Sequence, residues 1–255
     1  MTIRKENVVI IIPTYNEALI ISETIHQVFE QTQTLEDFDV QILVFDSAST
    51  DKTPEIVRNL ISHYHHKLHL EAEPQKTGLG SAYTQAMNYA LNQLNADIIV
   101  EFDADLSHQP QYIPSMLEKI KTCDVVVGSR YISGGSIPEN WSIHRKALSL
   151  LGNYVARMVL TRQYKDLTSG FRLIRRETLQ KALSTPFLSN QYAYKLHLMW
   201  LLHRQKARIV EFPIAFIDRT HGTSKLPTNS ILDALRVIFT LRLKVIRDCI
   251  KKYLF

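Results

Sequence analysis

Val8-Val9-Ile10-Ile11-Ile12-Pro13-Thr14-Tyr15-Asn16-Glu17 opens as a run of β-branched apolar residues, stops at a proline and passes directly into a polar cluster. A short apolar run without polar alternation reads as a strand buried on both faces, as in parallel sheets. The pattern recurs at residues 40–45, 97–102 and 124–127, with a weaker run at 68–71, each bounded by polar or turn residues. Stretches with helical spacing lie between them, at 17–31, 53–63, 79–94 and 111–121. Alternating strands and helices predict an α/β fold, a mostly parallel sheet with flanking helices, whose ligands gather at the carboxyl ends of the strands. Three polar clusters fall there: residues 13–17, then Asp46-Ser47-Ala48-Ser49-Thr50-Asp51, then Asp103-Ala104-Asp105-Leu106-Ser107-His108. They are expected to line one cleft.

Beyond Ser129 the pattern loosens. Gly134-Gly135 is followed by a helix at 144–160, a loop at 165–170, a strand at 171–174 and a helix at 190–204, read as the half that takes the second substrate. No repeat, low-complexity segment or linker divides the chain, so residues 1–228 are expected to form one catalytic domain. Residues 229–255 read as a C-terminal helix, with Leu232, Leu235, Phe239, Leu243, Ile246 and Ile250 recurring at spacings of three or four. That stripe needs a partner. Ile238, Leu241 and Val245 lie off it, and Arg236, Arg242, Lys244, Arg247, Lys251 and Lys252 make the segment basic. A basic amphipathic helix suits anionic lipid headgroups; a core helix and an oligomer interface are the competing readings.

With 255 residues, 45% of them apolar, the chain has material for one large core. Its 30 Lys and Arg against 25 Asp and Glu give a net charge of +5, which favours polyanionic partners. Nucleic acid is set aside, because no aromatic-and-basic motif or recognition helix is present. Two distant cysteines, Cys123 and Cys249, suggest neither a disulfide framework nor a zinc site, and a reducing compartment fits. The first apolar run is too brief for a signal peptide, and no stretch approaches the ~20 apolar residues of a membrane span.

Asp103-Ala104-Asp105 carries the strongest chemistry. Two carboxylates one residue apart, just past a buried strand, can turn toward one divalent cation, and oxygen donors suit Mg²⁺ or Mn²⁺. A turn with solvated aspartates or a helix cap is the alternative for an isolated pair. Ser107 or His108 is a candidate to complete the coordination or to support it, although a lone loop histidine more often lies at the surface. His63, His65, His66 and His69 crowd one connection and are assigned no role. Gly78-Leu79-Gly80 lacks either phosphate-loop fingerprint and reads equally as a packing turn, with Lys76 a candidate charge partner.

With Pro13-Thr14-Tyr15-Asn16-Glu17 and Asp103-Ala104-Asp105-Leu106-Ser107-His108 placed, the sequence resembles family-2 glycosyltransferases, and within them the dolichyl or polyprenyl phosphate mannosyltransferases. Gly128-Ser129-Arg130-Tyr131, Gly134-Gly135, Trp141, Arg145, Asn153 and Asp166-Leu167-Thr168-Ser169-Gly170-Phe171-Arg172 follow in that subfamily's order. So does Glu211-Phe212-Pro213, with Arg219, Gly222, Ser224 and Lys225. The resemblance runs from about Val8 to Lys225 and implies a GT-A fold, with inverting transfer from GDP-mannose to a polyprenyl phosphate on the cytosolic face of a membrane. It implies Pro13, Tyr15, Glu17, Asp46, Asp103, Ala104 and Arg219 at the nucleotide sugar, and Asp103, Asp105 and Ser107 at Mg²⁺ or Mn²⁺. Arg130, Arg145, Ser169 and Arg172 would face the acceptor phosphate, with Asp105, Arg130 and Lys225 as the catalytic groups. Peripheral membrane attachment, with a membrane-anchoring partner or a homo-oligomer, completes the expectation.

Two departures stand out. The usual Asp-Asp pair after the second strand is Asp46-Ser47, which puts the base in doubt, and His197 stands where the family usually places Glu. A UDP-linked donor, a polysaccharide acceptor and a catalytically silent nucleotide-binding protein are the other readings.

Overall fold

The structure is a computed structural model, and it describes residues 4–219 and 229–254. Seven strands form one sheet in the order β3-β2-β1-β4-β6-β5-β7. They are β1 (Glu6–Thr14), β2 (Phe38–Asp46), β3 (Leu68–Ala72), β4 (Ile98–Glu101), β5 (Val125–Ser129), β6 (Arg172–Arg175) and β7 (Ile209–Pro213). β1 runs parallel to β2 and β4, β2 to β3, and β5 to β7, whereas β6 is antiparallel to both β4 and β5. The sheet is mostly parallel, as the unalternated runs require, with one reversed strand near its middle.

Successive residues of β1 serve opposite faces. Val8, Ile10 and Ile12 pack with Ile21, Ile25 and Val28 of α1 (Ile21–Thr32), Val57 of α2 (Thr53–Tyr64) and Ile113, Met116 and Leu117 of α4 (Ile113–Ile120). Val9 and Ile11 face Tyr83, Ala86 and Met87 of α3 (Leu79–Asn92), Leu198 and Met199 of α7 (Tyr194–Arg204) and Val237, Ile238 and Leu241 of α8 (Ser230–Leu254). Two apolar layers on one sheet make a three-layer fold. Residues 230–254 therefore share their core with the rest of the chain.

Two elements escape the sequence pattern. α6 (Arg176–Leu183) is short and polar, with only Leu179 and Ala182 buried, and follows β6 without a loop. β7 is an edge strand whose five residues are all half-buried, so its pattern neither alternates nor runs apolar throughout. The residues that seat α8 are Val237, Ile238 and Leu241, at most 3% exposed, whereas Leu232, Phe239 and Leu243 of the expected stripe are more than half exposed. α5 (Ile143–Val159) packs beside it and likewise leaves Ile143, Leu148, Leu151 and Tyr154 exposed.

Candidate active site

The parallel strands β1, β2 and β4 end along one edge, and hydrogen bonds stitch their loops together. Asp46 is buried, and its carboxylate accepts from the Thr14 hydroxyl at 2.9 Å and from the Ser49 amide and hydroxyl at 2.8 and 2.6 Å. The Asn16 amide donates to Ser49 Oγ at 2.8 Å, and the Glu17 amide to Thr53 Oγ1 at 2.9 Å. Pro13, Tyr15 and Glu17 thus belong to a loop held rigidly against the one that carries Asp46. The Lys76 ammonium lies 3.4 Å from the centroid of the Tyr15 ring, a cation–π contact. Ser47, in place of an aspartate, neighbours buried Glu73. Burial works against that carboxylate's charge, but hydrogen bonds from the Thr77 hydroxyl and amide and from Gln85 outweigh it and hold Glu73 below the usual carboxylate range. β3 thereby brings an acid to the edge where residue 47 lacks one.

Gly78-Leu79-Gly80 is a packing turn. Gly78 has φ of +116°, a Cβ there would meet the Asn190 carbonyl at 2.4 Å, and the Gly80 amide donates to that carbonyl at 2.8 Å.

Past β4 the chain turns sharply, with Leu106 at φ +56°. The turn lets the Ser107 amide and hydroxyl donate to Asp105 Oδ1 at 3.1 and 2.6 Å. Ser107 therefore orients Asp105, with its hydroxyl beside that carboxylate. Ala104 is corrected: it is buried in the layer under α1, and its carbonyl accepts from Thr24 at 2.7 Å, so it is the spacer that turns Asp103 and Asp105 outward. Arg219 Nη2 lies 3.2 Å from Asp105 Oδ2, and Lys195 Nζ and His108 Nδ1 lie 3.7 and 3.5 Å from the two oxygens of Asp103. Burial would raise the Asp103 pKa, but Lys195, His108 and Arg219 hold it below the usual range.

His108 is not at the surface. It is 3% exposed, among the rings of Phe102, Phe171 and Phe216. Burial pushes its pKa down to about 4, so the ring is neutral at pH 7, and its buried Nδ1 has no hydrogen-bond partner among the described residues.

Arg130 follows β5 and is clamped by Asp166: Nε and Nη2 donate to the two carboxylate oxygens at 2.7 and 2.9 Å, and its amide donates at 3.1 Å. Asp166 is fully buried. Its loop is fixed by Glu211 of β7, which accepts from the amides of Lys165 and Asp166 at 2.8 and 2.9 Å and from the Ser129 hydroxyl at 2.7 Å. Asn153 of α5 takes the Leu167 amide at 3.0 Å. Arg145 opens α5, stacks 4.0 Å from the Trp141 ring centroid and pairs with Asp218 at 3.1 Å.

Two expected phosphate contacts are corrected. Arg172 is 1% exposed, directly opposite Glu101 in the β4–β6 ladder, and bonds to it at 2.5 and 3.2 Å, while Tyr194 donates to the same carboxylate at 2.6 Å. Ser169 is buried and spends its hydroxyl on the Gly128 carbonyl at 2.6 Å. Both build the sheet instead of facing the cleft. His197 is likewise a core residue, whose Nδ1 accepts from the Leu188 amide at 3.0 Å. Lys225, with Gly222 and Ser224, lies outside the described residues. Lys195 and Glu101 were not singled out by sequence, and Glu211 stood in a block of the resemblance with no role assigned; the one signal for Lys195 was that it shares a helix with His197, already marked as departing from the family.

Asp103 and Asp105 offer oxygen donors that face the cleft, which fits Mg²⁺ or Mn²⁺. Among the described residues no group of three His, Cys, Asp or Glu is placed to hold a metal ion. On this donor set the ion fits as a partner of the diphosphate.

The family model Glycosyl transferase family 2 matches residues 9–183. The chain is a family-2 glycosyltransferase. Its similarity to an undecaprenyl-phosphate mannosyltransferase of Micrococcus luteus is 33% identity over 89% of this chain and 90% of the relative. The polyprenol monophosphomannose synthase of Mycolicibacterium smegmatis is 32% identical over 90% and 84% of the two chains. The dolichol-phosphate mannosyltransferase of Pyrococcus furiosus is 34% identical over 91% of this glycosyltransferase and 62% of that protein. The architecture matches solved structures: mannosyl-3-phosphoglycerate synthase from Rubrobacter xylanophilus has a TM-score of 0.68 at 17% identity, covering 94% of this chain and 75% of that one. A Pyrobaculum calidifontis mannosyltransferase in complex with GDP-Man and Mn²⁺ has a TM-score of 0.57 at 22% identity, covering 96% and 65%. The GT-A fold expected for the family-2 glycosyltransferase is the fold observed.

Proposed function

We propose that this glycosyltransferase moves mannose from GDP-mannose to a polyprenyl phosphate at a membrane surface, with Mg²⁺ or Mn²⁺ as cofactor. The observation that carries the reading is the meeting, along one sheet edge, of the Asp103 and Asp105 carboxylates after β4 with the clamped Arg130 after β5 and with Arg219. Anionic and cationic groups so arranged match a reaction between two phosphate-bearing substrates. The named relatives support the acceptor and the sugar.

A phosphate monoester has a second pKa near ~6, so the acceptor is already largely dianionic at neutral pH and needs no strong base. One of its oxygens attacks the anomeric carbon while the nucleoside diphosphate leaves from the opposite face. Arg130, fixed by Asp166, and Arg145, stacked on Trp141, are the cations for the acceptor phosphate. Asp46 and the loop carrying Tyr15 hold the nucleotide. Asp103 and Asp105 would hold the divalent cation, which would supply charge stabilisation to the departing diphosphate. Arg219 closes over the same carboxylates, so charge developing in the cleft meets preorganised partners.

Among the described residues no helix is long and apolar enough to cross a membrane. The exposed apolar faces of α5 and α8, with basic side chains around them, support peripheral attachment. A groove of about 580 Å³ beside α5 is lined by the apolar or aromatic Tyr131, Ala147, Leu150, Leu151 and Tyr154, with Asn153, Arg157 and Lys165 supplying polar groups. It suits an isoprenoid tail next to its phosphate.

The test is transfer from radiolabelled GDP- and UDP-sugars to a polyprenyl phosphate, with Mg²⁺ or Mn²⁺ and with chelator. Label in the lipid fraction from GDP-mannose alone, and only with metal, is the expected result. Transfer from a UDP-sugar would overturn the donor, and no lipid product from any donor would overturn the acceptor.

A further inference from the structure

Lys195 is a buried ammonium that the reaction above leaves unused. It enters from the first turn of α7, is 2% exposed, and places Nζ 3.7 Å from Asp103 Oδ1 and 4.4 Å from the centroid of the Tyr192 ring. Its space is made by Gly170, where a Cβ would stand 2.0 Å from Nζ and 2.9 Å from Cε. The other nearby acid, Glu101, is already engaged by Arg172 and Tyr194. Asp103 is therefore the carboxylate that answers the Lys195 charge.

The consequence is a cleft in which both candidate ligands of a divalent ion already carry a cation: Arg219 on Asp105 and Lys195 on Asp103. The two differ in kind. Arg219 belongs to a loop and is a quarter exposed, whereas Lys195 is fixed in the core and cannot swing into solvent. A divalent ion that binds Asp103 must accept a permanent like charge beside it, in surroundings where water screens poorly. The negative charge of a diphosphate arriving with the ion offsets that repulsion.

We infer that Lys195 is a built-in counter-ion of Asp103 that disfavours divalent metal in the nucleotide-free cleft and makes the ion enter together with the donor's diphosphate. The inference rests on the metal assignment proposed above. Coupling of this kind amounts to roughly 5- to 150-fold in affinity.

Mn²⁺ binding, followed by the loss of the free-ion electron paramagnetic resonance signal, separates the possibilities without reference to activity. In the wild-type protein, Mn²⁺ should bind at least ~10-fold more tightly with saturating GDP or UDP than without. Lys195→Gln and Lys195→Met should each bind Mn²⁺ at least ~10-fold more tightly than wild type in the absence of nucleotide, and the nucleotide's effect should shrink to match. Gly170→Ala, a change that does not fall at a positive φ, pushes on the same ammonium from another element and should shift affinity in the same direction. Misfolding cannot produce a gain of affinity. Unchanged or weaker nucleotide-free binding in both Lys195 variants overturns the inference. Wild-type Mn²⁺ binding by Asp105→Asn would instead overturn the metal assignment itself, so the two failures are distinguishable.

Discussion

Asp166→Asn should be among the most damaging isosteric changes in this protein. Five donors converge on the Asp166 carboxylate: the Arg130 amide and Nε reach Oδ2, and Arg130 Nη2, the Thr168 amide and the Thr168 hydroxyl reach Oδ1. Whichever way an asparagine amide turns, its NH₂ faces N–H donors, and only the turn toward Thr168 offers it an acceptor, the hydroxyl that already accepts from Arg130 Nη2. The change also leaves Arg130, whose side chain is 10% exposed, without its counter-charge. Breaking a buried pair by removing one partner costs about 3–5 kcal/mol. For a chain of this size that corresponds to a fall of roughly 10 °C in Tm. Activity should suffer separately, because a freed guanidinium no longer aims at the acceptor phosphate; a loss of about 100-fold in kcat/KM is expected. Thermal unfolding followed by circular dichroism, with initial-rate transfer assays below the variant's Tm, reads both. A variant that melts within 2–3 °C of wild type, a shift of about 1 kcal/mol, would refute the clamp as described.

Asp105→Ala should lower transfer by about 1000-fold or more while leaving the fold intact, since Asp105 lies at the cleft with Arg219; scintillation counting of the lipid fraction checks it. Acid should destabilise the protein through its buried imidazoles. His197 and His108 both have folded pKa values pushed down to about 4 by burial, below the usual 6.5, so the unfolded chain binds more protons between those values and stability falls as pH drops from about 6.5 toward 4. Urea titrations at pH 7 and pH 5 should show a loss on the order of 2 kcal/mol from each ring, and His197→Asn should remove about half of that pH dependence. Replacing Ile143, Leu148 and Leu151 of α5 with serine should reduce sedimentation with anionic vesicles severalfold without lowering Tm, because these side chains are exposed in the isolated protein. Equal sedimentation would remove α5 from the membrane-facing surface.

Much of the fold is legible from the sequence because its central strands are short, β-branched and buried on both faces. β7 is not, since a half-buried edge strand carries neither signature, and α6 is not, since only two of its residues face the core. The stripe on α8 is legible but its partner is not: apolar residues at helical spacing mark an amphipathic face without showing what covers it, and here three residues outside the stripe seat the helix. At the site, Asp103 and Asp105 stand out in the sequence because two carboxylates one residue apart directly follow a buried strand. Arg172 and Ser169 are not, because a buried arginine that pairs across the sheet and one that binds phosphate look alike until Glu101 appears opposite. Lys195 is hidden for the converse reason: a lysine in an otherwise apolar helix reads as a surface residue until Gly170 and Asp103 are seen around it.

The reversed strand β6 also sets a condition on how the protein is made. β4 ends at Glu101, but its second edge is filled by Arg172–Arg175, some 71 residues later. At ribosomal speeds of ~5–20 residues per second, that edge and its buried acid wait roughly 4–14 s for their partners. During that interval the nascent chain carries an open, apolar strand edge with an uncompensated carboxylate at its end, the kind of surface that recruits chaperones or pairs with a neighbouring chain. Truncations that stop before β6 should therefore accumulate as insoluble material, and Arg172 is the residue whose emergence from the exit tunnel ends the exposure.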